Sequence, residues 1–289
     1  MTLEQLRIFA MVAQTLSMTR AAERLHLSQP AVSAAIAALE QRHATHLFDR
    51  VGRRLELTEA GRLFLPEART VLARADEACR VLDELGGLMR GEVRIAASQT
   101  VATYWLPRRM ARFAATAPHV RLHLFVGNTA QSAARVLQGE ADIGFVEGEV
   151  DEALLSRQVV DHDRIGLYAA HDHPLAGRPL TRVDLEAAQW VMREPGSGTR
   201  DHVTAGLVES GLAIEHLQIL LELPSNGAAL EAVEGSQLVT AVSELAAAAR
   251  VGVGLIRPLE WPLPPREFTM LLHRARRPSR ATAAFQASL

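Results

Sequence analysis

The chain has 289 residues, 48% hydrophobic and 22% charged, so it is long enough for two or three packed domains and too apolar to be disordered. Its net charge of -2 excludes a uniformly basic nucleic-acid binder, and any cationic surface has to be local. Lysine is absent, so all 31 basic residues are arginine, and the single cysteine, Cys79, excludes an internal disulfide or a multi-cysteine zinc site.

The opening "MTLEQLRIFAMVAQTL" lacks the basic start and cleavage site of a signal peptide. No apolar run reaches the ~18 residues of a membrane span, so the expected location is the cytoplasm, with no membrane partner. The next stretch, "SMTRAAERLHLSQPAVSAAIAALE", reads as two short helices. Thr19 is placed to cap the first and Ser28 the second, with Pro30 in the second helix's first turn, where its missing N–H costs little. On a 3.6-residue period Val32, Ile36 and Leu39 face inward. The outward arc then carries Pro30, Ser33, Ala34, Ala37 and Gln41, led by Gln29, with no charged side chain among them.

Such a surface suits a helix seated in the DNA major groove. Long charged chains would hold the backbone away, whereas Gln and Ser can bond base edges and Pro and Ala can meet thymine methyl groups. Arg20 and Arg24 lie where phosphates would be, contributing affinity rather than sequence choice. Downstream, "DRVGRRLELT" sets Arg50, Arg53 and Arg54 around a glycine turn, in the manner of a wing. A helical hairpin buried against another domain would show the same Ala-rich face. Charge does not separate the two, because residues 1–58 carry seven Arg against five Asp plus Glu.

Residues 59–89 form one long helical pattern, about 46 Å at ~1.5 Å per residue. Phe64, Ala68, Val71, Ala75, Ala78, Leu82, Leu85 and Met89 alternate four and three apart, a heptad seam for a second helix. Packing on its own domain is the other reading of that stripe. Pro66 should kink or offset the first turns, and Cys79 sits beside the seam as a packing residue. "MRGE" at 89–92 marks a hinge. From Val93, short β runs alternate with helical patterns in two similar α/β units, and "REFTMLLHRA" crosses back to the first before a helix from about 278.

Three segments of this second half pass from strand to helix through polar residues: Ser98, Gln99 and Thr100; Asn128 and Thr129; and Gly196, Ser197, Gly198 and Thr199. Each offers hydroxyl or amide groups beside free N–H groups at a helix N-terminus, and together in one cleft they would hold a small anion without lysine. The carboxyl ends of the strands are where open α/β sheets bind ligands. Glu147 stands against this, since a carboxylate repels an anion unless it is protonated or bonded to a ligand hydroxyl; tying the lobes together is its other possible role. "GSGT" lacks P-loop spacing, no nucleophile–base motif is present, and "HDHP" at 171–174 reads as a surface turn. No catalytic residue, metal or cofactor is expected.

"RAAERLHLSQPAVSAAIAALE" followed by "LFDRVGRRLELTEAG" resembles the N-terminal signature of LysR-type transcriptional regulators, nearly unbroken from Leu3 to about Leu85. One departure is "HATHLF", where the family usually has Leu-Gly before the Leu-Phe pair, so His43 and Ala44 alter the turn ahead of the wing. "GNTAQSAARVLQGEADIGFVEGEV" with "REPGSGTR" is most similar to the branch holding sulfite-responsive and carbon-fixation regulators. The resemblance implies an all-α N-terminal part, a winged helix-turn-helix over 1–58 and a dimerising linker helix over 59–89. Beyond these it implies a two-lobed, periplasmic-binding-protein-like α/β effector domain, with lobe I at 90–161 and 267–289 and lobe II at 162–266. It also implies promoter DNA as partner, a homodimer or homotetramer, contact with RNA polymerase, and a sulfite-like, carboxylated or phosphorylated effector. The rival expectation is a cytoplasmic two-lobed binding protein or enzyme whose N-terminal helices only dimerise.

Overall fold

A computed structural model describes residues 1–52, 54–85 and 91–289, without the side chains of 77 and 80–85. Arg53, Met89, the start of the expected hinge and the side chains of Leu82 and Leu85 therefore lie outside the described residues. The chain divides into two compact units, one running through the fourth helix and one beginning at the third strand.

The first unit contains α1 (Leu3–Thr15), α2 (Met18–Leu25), α3 (Gln29–His43), a hairpin of β1 (Phe48–Val51) and β2 (Arg54–Leu57), and α4 (Glu59–Leu85). Local chemistry sets the boundaries. Thr2 and Gln5 form a capping box on α1. Ser17, rather than the expected Thr19, caps α2, accepting from the Arg20 N–H at 3.3 Å. Thr19 already lies in the first turn of the helix, too late for its hydroxyl to take the capping place that Ser17 holds. Ser28 caps α3, with Pro30 in the first turn. The core joins Phe9, Val12, Ala21, Ala22, Val32, Ile36 and Leu39, and Phe9 meets the rings of Phe48 and Phe64 at 5.5 and 5.1 Å.

The helix α4 runs through Pro66, the Thr70 hydroxyl donating to the proline carbonyl at 2.9 Å. Its 27 residues extend about 40 Å. Phe64, Leu65, Ala68 and Leu72 pack onto the core of this unit, so the first two positions of the expected seam serve their own domain. Val71 is 42% exposed, and Ala78 and Cys79 are exposed beyond it.

The second unit holds two five-stranded mixed sheets, here called lobes I and II. In lobe I, β3 (Gly91–Ser98) lies between β4 (Val120–Gly127) and β5 (Ile143–Glu147), all parallel. Outside β5 come β12 (Arg266–His273) and then β6 (Leu155–Asp163), antiparallel. A π-helical turn at Val101–Trp105 leads into α5 (Leu106–Thr116), where one helix over 101–116 was expected. The helices α6 (Thr129–Gln138) and α11 (Arg280–Ala287) complete this lobe.

Lobe II runs from β7 (Ile165–Ala170) through α7 (Arg182–Ala187), β8 (Gln189–Arg193), α8 (Gly198–Glu209), β9 (Gln218–Leu223), α9 (Asn226–Val233), β10 (Leu238–Ser243) and α10 (Glu244–Gly252) to β11 (Ile256–Leu259), in sheet order β11-β7-β10-β8-β9. His162, Asp163 and Arg266, which the expected division gives to lobe II, pair in the lobe I sheet.

Candidate functional site

Two surfaces carry chemistry, one in each unit. On the first, Gln29, Pro30, Ala34, Ala37 and Gln41 are exposed along α3 and Ser33 is half-buried beside them. The Gln29 amide donates to the Ser33 hydroxyl at 2.8 Å, one helical turn on. Arg24, Arg50 and Arg54 are exposed. Arg20 is exposed too, but its guanidinium donates to the Thr15 carbonyl at 2.6 Å, which fixes its direction.

The wing is held by a residue that periodicity does not single out. The Glu40 carboxylate accepts from the N–H groups of Leu47 at 2.7 Å and Phe48 at 3.2 Å, fastening the end of α3 to the start of β1. Between them Ala44 closes α3 in a left-handed conformation, φ 47° and ψ 39°, where a glycine would sit without strain.

On the second surface, strand-to-helix junctions of both lobes meet at the carboxyl ends of the strands. Asn128 caps α6 with Gln131 and donates to the Glu194 carboxylate and the Pro195 carbonyl, both at 3.4 Å. The Thr129 hydroxyl donates to the Glu147 carbonyl at 2.5 Å. A Cβ on Gly198 would stand 1.7 Å from that same carbonyl, so only glycine allows α8 to press this close to the end of β5. The backbone of Gly196 accepts from the Ala130 N–H at 3.3 Å, and Ser197 is buried without a capping bond of its own. Gln99 reaches from lobe I to the start of α9, its oxygen accepting from the Asn226 N–H at 2.8 Å.

Beneath these junctions lie two buried arginines, each on a strand rather than at a helix start. Arg266 donates twice to Asp163, at 2.9 and 2.6 Å, and to the hydroxyls of Thr199 at 3.0 Å and Thr100 at 3.3 Å. Arg193 donates to Glu194 at 2.9 and 3.0 Å and to the Asn226 side chain at 2.7 Å. Asn226 in turn donates to Thr100 at 2.9 Å. The only sequence signals were the Arg directly before "EPGSGT" and a fourth strand-to-helix junction at "LPSNG".

Glu147 is 2% exposed. One carboxylate oxygen lies 3.8 Å from the Arg266 guanidinium. The other belongs, with the Ser98 and Ser132 hydroxyls, to the buried polar atoms that lack a hydrogen-bonding partner among the described residues. Burial pushes the Glu147 carboxyl up, against the opposing pull of Arg266 and the Thr100 hydroxyl. Nine of the ten expected cleft residues thus lie at strand-to-helix junctions, and Glu147 lies beside them at the end of β5. The "HDHP" turn is partly internal: His173 is buried and accepts from the Leu175 N–H at 3.1 Å while its other nitrogen meets the Gln237 carbonyl at 3.2 Å. No described helix is long and apolar enough to cross a membrane.

Each of the two parts of the chain matches a known family model. Residues 3–62 match the bacterial regulatory helix-turn-helix model of the lysR family, and residues 86–289 match the LysR substrate binding domain. The chain is 35% identical to a protein of Escherichia coli K12 described as an uncharacterized HTH-type transcriptional regulator, YeiE, over 98% of this chain and 95% of that one. It is also 35% identical to a probable RuBisCO transcriptional regulator of Cyanidioschyzon merolae, over 90% of this chain and 87% of the relative. The latter agrees with the carbon-fixation side of the resembled branch. Among solved structures, the regulatory domain of Synechocystis PCC6803 CcmR in complex with 2-PG superposes with a TM-score of 0.63 and 26% identity, covering 68% of this chain and 95% of that one. The two models together span nearly the whole chain, with a helix-turn-helix unit followed by a two-lobed effector-binding domain, and the chain belongs to the LysR family of bacterial transcriptional regulators.

Proposed function

We propose that the chain is a cytoplasmic regulator that reads promoter DNA through Gln29, Pro30 and Ser33, anchors on phosphates through Arg20, Arg24, Arg50, Arg53 and Arg54, and starts that helix at Ser28. In this reading residues 1–58 form the DNA-binding domain and 59–89 a dimerising helix of a homodimer or homotetramer. A small anion, either an oxyanion or a carboxylated or phosphorylated metabolite, binds between lobe I (90–163 and 266–289) and lobe II (164–265). Its contacts come from Ser98, Gln99, Thr100, Asn128, Thr129, Glu147, Gly196, Ser197, Gly198 and Thr199.

The observation that carries the effector half is the meeting of strand-to-helix junctions from both lobes around Thr100, Thr129, Thr199 and the buried Arg266. A ligand there touches both lobes, so it has different affinity for their open and closed arrangements, as any switch requires. That a relative's regulatory domain is solved with 2-PG supports an anion of this size.

The recognition surface is tested by Ser33→Arg, which places a long cation on the smooth face of α3. Sequence-selective binding to DNA from upstream of the chain's own gene should be abolished while the oligomeric state is kept, read by electrophoretic mobility shift and light scattering. Unchanged affinity would defeat this placement of the helix. The effector surface is tested by thermal shift with millimolar sulfite, phosphate and small carboxylates; no shift with any of them counts against an anion sensor.

A further inference from the structure

The charges of the cleft do not pair evenly. Arg266 is matched by Asp163, which takes two of its N–H groups on one oxygen and the Ser243 hydroxyl, at 2.9 Å, on the other. Arg193 is matched by Glu194. Glu147 is a third carboxylate with no arginine of its own. Its nearest cation, at 3.8 Å, is the guanidinium already held by Asp163, and its second oxygen has no partner among the described residues.

The Glu147 carboxyl feels Arg266 of β12, Thr100 before the π-helical turn and Arg193 of β8; Asp163 of β6 and Thr199 of α8 bond to that Arg266, Thr129 of α6 and Gly198 of α8 crowd the Glu147 carbonyl, and Phe268 of β12 is its partner in the sheet. A wholly deprotonated anion entering this compartment would set two negative oxygens against each other in a site shielded from water. With one proton between them, the same contact becomes a charge-assisted hydrogen bond.

We propose that Glu147 Oε2 contacts the effector through one shared proton, so that the ligand class is anions carrying their own donor, such as α-hydroxy acids or hydrogen phosphate groups. This rests on reading the cleft as the anion site and names the chemistry of that ligand. Donor-less anions such as sulfate or acetate then bind only when Glu147 itself supplies the proton. Burial raises the pH at which Glu147 gives that proton up. The protonated form is present at low pH, so affinity for a donor-less anion is highest there and falls as pH rises through the titration of Glu147.

Isothermal titration of the full chain with two matched pairs, glycolate against acetate and phosphate against sulfate, at a series of pH values from 6 to 8.5, tests this. On the alkaline side of the Glu147 titration the donor-bearing member should bind about tenfold or more tighter, the usual consequence of leaving a buried acceptor unmet. Sulfate affinity should fall by about tenfold per pH unit above the titration of Glu147, as one linked proton requires. Glu147→Gln, which offers a permanent N–H, should close the gap within each pair and flatten the sulfate profile. Equal, pH-independent binding of both members of each pair to the unaltered protein overturns the proposal and leaves the anion site standing. Binding of none of the four overturns the anion site and the proposal together. The comparison within the unaltered protein decides the matter even if the variant does not fold.

Discussion

At Ala44 the backbone is left-handed on a residue with a Cβ, which costs roughly 1–2 kcal/mol relative to the ordinary helical region. Glycine removes that strain but loses about 0.5–1 kcal/mol through its freer unfolded chain. Ala44→Gly should therefore raise the stability of the first unit by about 0.5–1 kcal/mol, measured as a higher urea midpoint with an unchanged slope. A loss of stability would mean that the turn before the wing is not closed in this way. The opposite case is Gly198, whose Cβ position is already claimed by the Glu147 carbonyl. There glycine is needed for how near two backbones come, whatever its own dihedral angles.

Among the elements, the wing depends on a single carboxylate. Glu40→Ala leaves the Leu47 and Phe48 N–H groups without their charged acceptor, at a cost of about 2 kcal/mol. The hairpin should then loosen, and affinity for operator DNA should fall by about tenfold in a mobility-shift titration, with Glu40→Gln recovering part of the loss. Affinity unchanged in both variants would show that the wing is held by its own packing. These bonds also mark where sequence reading stops. The helices of the first unit were legible because Val32, Ile36 and Leu39 repeat at helical spacing and Ser28 and Pro30 announce a start. Glu40 was not, because its partners lie seven and eight residues on and are backbone groups. In the second unit β6 and β11 carry little sequence signal: "LSRQVVDHD" alternates weakly, and Pro258 interrupts β11, an edge strand that tolerates it. Thr100, Thr129 and Thr199 were legible as helix starts. Arg193 and Arg266 were not, since an arginine at a strand end becomes a buried clamp only once the fold brings distant partners to it, Asn226 to Arg193 and Asp163 to Arg266.

For the molecule as a whole, α4 carries the proposed link between copies. Its early apolar positions are spent on its own domain, so assembly should depend on the exposed part of the stripe, beginning at Val71. Val71→Asp should lower the mass seen by light scattering toward that of one chain. It should also weaken operator binding by at least about a hundredfold, because two half-sites would no longer be held at once. A mutant of full mass would move the contact elsewhere. The order of strands in lobe I has one more consequence. Its sheet places β12, which begins only at Arg266, between β5 and β6, while lobe II is built from the uninterrupted stretch between them. During translation lobe II can therefore fold as it leaves the ribosome, whereas lobe I waits with an open seam for a strand synthesised more than a hundred residues after its neighbour β6. A nonsense mutation anywhere in that late segment would not trim the protein; it would take out the middle of a sheet whose other strands had already been made.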